Sequence, residues 1–355
     1  MKPWMSAWDG LDVFPAGTPE WAVAASIVGF VYFFVIMPGA GFMAFLDRKI
    51  SADLQARIGP NRVGLAGLFQ PLADLLKLLQ KEKRIVSGWR EAFWLGLHTM
   101  ALYSTVAVLP LGSMFLLVDT DMSAFMLFWA ALILALGTML MGLNQGSIPG
   151  WFGGIRVASQ ALAGAFPAMI GMICVGLRAG SFRWSAVAAA QGSSPLHWTV
   201  FSDPFQFIAF FVFLASGMVL LGISPLDGGL SVPDIHGGVS SHLYGRRLSL
   251  FRLGRFYGFF LWSEIAVVLF MGAWNLPLFV TDAIRNYSTP VALEAVELLV
   301  LLVKTGLVML GVTWVARANP RIRADQITDM AWKVLSPLSL MALIGTTVWM
   351  IWVNH

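Results

Sequence analysis

Charged and titratable side chains are scarce here, so the few present draw attention. Only 12% of the 355 residues are Asp, Glu, Lys or Arg, against about 25% in an average soluble protein. The densest group runs from Asp47 to Glu82. Asp47, Arg48, Lys49, Asp53, Gln55, Arg57 and Arg62 surround Gly59-Pro60-Asn61, and Gln70, Asp74, Lys77 and Lys81 follow. Arginines are permanent cations with fork-shaped donors, and with interleaved carboxylates they can hold an anionic group and exchange protons with it. The competing reading of each arginine is a topology signal or a contact with lipid phosphate. A second group, Glu264, Glu294, Glu297 and Lys304, lies within apolar runs. A charge buried in a span is costly and is therefore a functional candidate. Lys304 is seven residues from Glu297, on the same helical face, so a simple ion pair is the alternative, and Glu294 can sit at the outer interface. Asp227, Asp234, His236 and His242 share a loop whose histidines can relay protons near neutrality or can simply be solvated. His98 and His197 read as interfacial side chains near span ends.

Other chemistries are excluded. No two histidines, and no His–Cys pair, have metal-ligand spacing. The lone cysteine, Cys174, rules out an internal disulfide framework or a cysteine-ligated iron–sulfur cluster within the chain. Gly228-Gly229 is no nucleotide fingerprint.

The elements that must position these groups are helices in a bilayer. Hydrophobic residues make up 58% of the chain and the mean hydropathy is +0.75. Apolar runs of about 20 residues, enough to cross roughly 30 Å of hydrocarbon, predict an all-α polytopic membrane protein forming a single membrane domain. Eight spans are expected, at 22–46, 92–117, 123–143, 158–179, 204–224, 249–273, 292–316 and 333–353. Leu68, Leu72, Leu75, Leu76 and Leu79 recur at helical spacing, with Gln70, Asp74, Lys77 and Lys81 on the opposite stripe. This pattern predicts an interfacial amphipathic helix over 66–82. Tryptophans near predicted span ends, among them Trp89, Trp184 and Trp352, form an aromatic belt.

Basic residues sort the loops by side. Nine lie between spans one and two, Arg246 and Arg247 lie in the fifth-to-sixth connection, and Arg317, Arg321 and Arg323 in the seventh-to-eighth. Asp119 and Asp121 make a purely acidic turn opposite. The positive-inside rule therefore places odd-numbered loops in the cytoplasm and both termini outside. The asymmetry accounts for the basic balance, and no nucleic-acid partner is needed to explain it. Irregular backbone at 59–64 and 225–238 is tolerated at membrane depth only under cover of protein or a wet cavity, so the cytoplasmic face is a docking surface, a cavity lining, or both.

Four stretches carry a family resemblance. Arg48-Lys49, Gln55, Arg57, Gly59 to Gly64, Gln70, Ala73-Asp74, Lys77 and Lys81-Glu82 resemble the first cytoplasmic loop of the complex I subunit 1/H family. Arg156 to Leu162 resembles the start of that family's fourth span. Pro225-Leu226-Asp227 resembles the opening of its fifth-to-sixth loop, and Pro320 to Gln326 the approach to its last span. The resemblance runs the length of the chain, with the same eight-span layout. It implies a membrane subunit of a proton-translocating NADH:quinone oxidoreductase in a bacterial inner membrane, not catalytic alone. Flavin and iron–sulfur clusters would be on partner subunits, in a peripheral arm docked at the cytoplasmic face, with neighbouring membrane subunits alongside. Quinone would enter from the lipid past the interfacial helix, its tail in an apolar tunnel. Asp47, Arg48, Gln55, Arg57, Arg62, Asp74 and Asp227 would then belong to the quinone chamber.

The departures bear on coupling. The family's first loop begins with glutamate where Asp47 stands, and its fourth-span glutamate falls on Ala165. Its fifth-to-sixth-loop glutamates fall on Leu230, Val232, Asp234 and His242, and its sixth-span glutamate on Arg255. Apolar residues pass on no proton, and an arginine is not deprotonated at working pH. Proton-path candidates are therefore Asp234, His236, His242, Glu264, Glu297 and Lys304. Two alternatives to the quinone subunit stand: the anchor of a related membrane-bound hydrogenase, and an autonomous ion transporter, which the lack of an internal repeat disfavours.

Overall fold

The computed structural model describes residues 26, 28–81, 93–98, 100, 105, 108–113, 116, 118–230, 238–241, 243–276 and 290–354. All regular structure among them is helical. Seven helices are long and apolar enough to cross a membrane: α1 (Val28–Leu54), α3 (Ser123–Leu143), α4 (Ile148–Ala179), α6 (Pro204–Leu221), α7 (Gly245–Phe270), α8 (Pro290–Ala318) and α9 (Ala324–Val353). Among the shorter helices are α2 (Gln70–Gln80) after the first span and α5 (Trp184–Gln191) between α4 and α6. The expected second span, 92–117, is helical at 93–98 and already irregular at 109–113, while most of its remainder lies outside the described residues.

Most boundaries have local causes. The Ser147 hydroxyl accepts from the Gly150 N–H at 3.2 Å, Pro149 occupies the first turn of α4, and left-handed Gly180 ends the helix. Asp203 caps α6 by accepting from the Gln206 N–H at 2.6 Å. The π-turns Tyr32–Ile36 and Ala331–Leu335 each precede a proline, Pro38 and Pro337. The proline ring displaces the carbonyl one turn back, and a wider turn accommodates it.

α4 begins ten residues earlier than the expected 158. Gly150, Gly153 and Gly154 mark close approach rather than a break, since a Cβ at Gly153 would lie 2.9 Å from the Val239 nitrogen and one at Gly154 2.8 Å from the Met139 carbonyl oxygen. The start of α4 thereby covers the irregular backbone around 229 and 239, which could not otherwise sit at this depth.

Packing is organised around two helices. α4 contacts α3, α6 and α9, and α7 contacts α1, α2, α6 and α8. The two groups meet where Trp262 of α7 stacks on Phe213 of α6, ring centroids 4.4 Å apart, with its indole N–H donating to the Phe213 carbonyl at 3.2 Å. Gly217 lies directly beneath that indole, leaving no room for a side chain. Just before α3, Asp119 accepts from the Trp184 N–H at 3.0 Å and Asp121 pairs with Arg183. That carboxylate raises the Arg183 pKa above its usual value, so one acid of the turn is paired with a cation while the other is held by neutral donors.

Candidate functional site

Two cavities adjoin where the C-terminal ends of α1 and α8 meet the N-terminal half of α7. The first, of about 520 Å³, lies between α2 and the transmembrane helices, and Met37, Ala40, Leu72, Leu75, Leu253 and Phe256 form part of its largely apolar lining. The second, of about 570 Å³, is polar. Arg48, Lys81, Arg252, Arg255, Arg317 and Arg321 face it against two carboxylates, Asp47 and Asp227. Arg48, Arg252 and Phe256 line both. The pair thus forms an apolar passage ending in a cation-rich chamber.

Carboxylates hold several of these cations. Arg317 of α8 donates from Nε to Asp47 of α1 at 2.7 Å, with Nη2 on the same oxygen. Arg48 pairs with Asp74 and ties α2 to α1. Arg321 reaches Asp227 at 3.5 Å, and the Ile322 N–H donates to the Pro225 carbonyl at 3.1 Å, so the α8–α9 connection is fastened to the loop after α6. Arg255 donates to the Gly222 carbonyl at 3.2 Å. Closely spaced cations of this kind favour an occupant that gains negative charge.

Of the residues expected in the chamber, Asp47, Arg48 and Asp227 line the polar cavity. Asp74 lines the apolar one, turned inward from its polar stripe by Arg48 and by the Gln70 amide, which donates to it at 3.1 Å. Gln55, Arg57 and Arg62 differ from expectation, standing exposed and lining neither cavity. The cause is local: α1 ends at Leu54, Ala56 turns the chain at φ 52°, and Arg57 donates to the Gln55 side chain at 2.7 Å rather than inward. Leu78 replaces Leu76 on the cavity face of α2, and the Leu79 carbonyl accepts from Arg246 at 3.2 Å.

Among the proton-path candidates, Asp234, His236 and His242 lie outside the described residues, as does Val232. Glu264 is 0% exposed and neither carboxyl oxygen has a hydrogen-bond partner among the described residues. Glu297 accepts from the Ser113 N–H at 3.0 Å and Glu294 from the Ser113 hydroxyl at 2.6 Å. The possible Glu297–Lys304 pair is absent from the ion pairs of the described residues. The Lys304 ammonium instead donates to the carbonyls of Ala273 at 2.9 Å, Asn275 at 3.4 Å and Gly272 at 3.5 Å, and lies 4.5 Å from the Trp198 ring centroid. His98, expected at the interface, is 1% exposed in the interior.

Arg252, Arg317 and Arg321 line the chamber without having been legible as chamber residues in the sequence. For Arg317 and Arg321 the available signal was the charge excess of their loop, which reads there only as topology, while Arg252 falls inside the expected sixth span.

A family model described as NADH dehydrogenase matches residues 26–347. The chain is 29% identical over 344 residues to the H subunit of the NADH-quinone oxidoreductase of Anaeromyxobacter dehalogenans, covering 93% of this chain and 83% of that one. It is 31% identical over 332 residues to the H subunit of the F(420)H(2) dehydrogenase of Methanosarcina mazei, covering 89% and 90%. A solved chain of the membrane-bound sulfane sulfur reductase, an archaeal respiratory membrane complex, superposes with a TM-score of 0.75 at 22% identity, over 92% of this chain and 99% of that one, and so shares its fold. With seven apolar helices and a family match along nearly its whole length, the chain is a multi-pass membrane protein that belongs to the NADH dehydrogenase family, that of complex I subunit 1/H.

Proposed function

We propose that this chain is the membrane subunit that holds quinone in a complex I-like oxidoreductase and carries its junction with the peripheral arm. The observation that supports this best is the pair of adjoining cavities. The apolar cavity beside α2 suits an isoprenoid tail arriving from lipid, and the polar one suits a head group that becomes anionic on reduction and then takes up protons. Asp47, Arg48, Asp74 and Asp227 line this passage, and Arg317, Arg321, Arg252 and Arg255 join them. Exposed Gln55, Arg57 and Arg62 offer a polar surface to a peripheral subunit at the cytoplasmic face. Flavin and iron–sulfur clusters belong to those partners, and the electron donor is theirs to set, since the relatives' names include both NADH and F(420)H(2). The membrane is a bacterial inner membrane with both termini on the non-cytoplasmic side. Protons leave the chamber region through groups that replace the family's carboxylates, with Glu264, Glu297 and Lys304 in the spans and Asp234, His236 and His242 in the loop as candidates.

The test is gentle purification from membranes followed by a quinone-reduction assay with a quinone-site inhibitor. Inhibitor-sensitive activity is expected to travel with this chain and its cluster-bearing partners. Recovery of a stable, lone chain without clusters or activity would overturn the reading.

A further inference from the structure

The polar chamber carries more positive charge than its own side chains balance. Six cations line it, and three of them are committed: Arg317 to Asp47, Arg48 to Asp74 and Arg321 to Asp227. Those three carboxylates are the only ones lining either cavity among the described residues. Lys81, Arg252 and Arg255 are left over, and none of them has an acidic partner among the described residues.

Arg255 is the most constrained of the three. Phe251, Phe259, Leu221 and Leu230 line the same cavity, and its Nη2 donates to the Gly222 carbonyl at 3.2 Å. A guanidinium has five N–H donors, so most of the fork has no protein acceptor among the described residues. It stands where the family resemblance places a glutamate, which reverses the sign of the charge at this point. Arg252 lies one turn earlier on the same face of α7 and lines the polar and the apolar cavity alike. Lys81 follows the last turn of α2.

A neutral head group would leave these cations uncompensated in a partly enclosed space, which is costly. An anion restores the balance, and the donors select its class. Arginine forks grip two oxygens of a phosphate at once, and three convergent cations suit a group with several charged oxygens better than a single carboxylate. The adjoining apolar cavity would take the chains of a phospholipid, whereas a free phosphate would leave it open.

We propose that Lys81, Arg252 and Arg255 form a binding site for a phosphate group, either inorganic or at the head of an anionic phospholipid. The binding stands on the arrangement of charges alone. Its consequence for turnover rests on the quinone reading above: head group and phosphate group compete for the same donors, so the bound anion holds back quinone.

The test uses the assembled complex, exchanged into phosphate-free buffer with a sugar-based detergent. One arm measures binding of radiolabelled inorganic phosphate by equilibrium dialysis, and the other retention of radiolabelled phosphatidylglycerol from mixed micelles. Saturable binding in the first arm identifies the free anion as the occupant, and in the second the lipid. In either, Arg255→Gln is expected to weaken binding at least tenfold and Arg252→Gln about threefold. Absence of saturable binding in both arms overturns the proposal, as does binding that Arg255→Gln leaves unchanged. Should that variant fail to assemble, unchanged binding in Arg252→Gln, whose side chain is exposed, overturns it equally. The link to quinone is read separately, as a rise of at least threefold in the KM for quinone at saturating anion, with kcat little changed. Binding that weakens in the variants but leaves KM unmoved overturns the competition and supports the anion site. Wild-type complex without inhibitor-sensitive quinone reduction overturns the chamber reading beneath the competition.

Discussion

Replacing Asp47 with Asn would leave Arg317 without its carboxylate in a chamber lined by five further cations, and the consequence can be sized. The paired oxygen and nitrogen are 2.7 Å apart, which puts the charge centres at about 4 Å. At an effective dielectric near 20, unit charges at that separation attract by about 4 kcal/mol. The side chains keep 21% and 30% of their surface exposed, and chamber water screens the pair, so roughly half of this, about 2 kcal/mol, should remain. The assay is a double-mutant cycle with Asp47→Asn, Arg317→Gln and the double variant. It is scored on the midpoint of reversible detergent-induced unfolding of the full chain, followed by its tryptophans. Each single substitution should cost about 2 kcal/mol and the double variant much less than the sum, giving a coupling energy of roughly 1–3 kcal/mol. Asp47→Glu, which restores the family's residue, should keep the pair and cost under about 1 kcal/mol. A coupling energy below about 0.5 kcal/mol would refute the argument, because it would mean that water, not Arg317, satisfies Asp47.

Three other perturbations probe separate parts of the structure. Leu72→Trp narrows the apolar cavity and should raise the KM for long-tailed quinones about tenfold, the equivalent of roughly two buried methylenes, while leaving short-tailed analogues nearly unaffected; matched KM measurements check this. Glu264→Gln removes a fully buried titratable group and should abolish proton translocation while quinone reduction partly persists, which fluorescence quenching in membrane vesicles reads directly. Gly217→Val drives a side chain into the Trp262 indole and should destabilise the α6–α7 contact by more than about 2 kcal/mol, seen as loss of assembled complex on native gels.

The sequence displayed what depends on local periodicity and charge. Seven of the apolar runs, the leucine face of α2 and basic residues of the first and seventh loops survive in the structure as helices, a cavity wall and part of a cluster of cations lining the polar cavity. What it concealed depends on partners distant in the chain. Spacing puts Asp74 on the solvent stripe with Lys77, but Arg48, 26 positions earlier, turns it inward. Spacing likewise pairs Lys304 with Glu297 on one helix, whereas the carbonyls that bind the ammonium end a different helix. The Gly150–Gly154 stretch lies before the span expected from 158, and the close approach that makes it helical depends on the chain packed against it. His98 sits near a span end and reads as interfacial, but Thr138 and the Phe251 ring, 5.7 Å away, enclose it.

The Lys304 socket has a consequence for how the chain is made. On insertion scales a lysine at the centre of a span costs about 2.5–3.5 kcal/mol, and α8 also carries Glu294 and Glu297. Here the ammonium is received by backbone dipoles at the end of α7 and by the Trp198 ring. All of those acceptors are synthesised before α8. A ribosome feeding the chain into the bilayer would therefore deliver α8 to a socket already laid down, and its insertion would depend on the earlier helices having folded. Biogenesis of the last two spans is in this sense templated: a defect at Trp198 or in the turn after α7 should surface first as a failure to thread α8, before any effect on the chamber it completes.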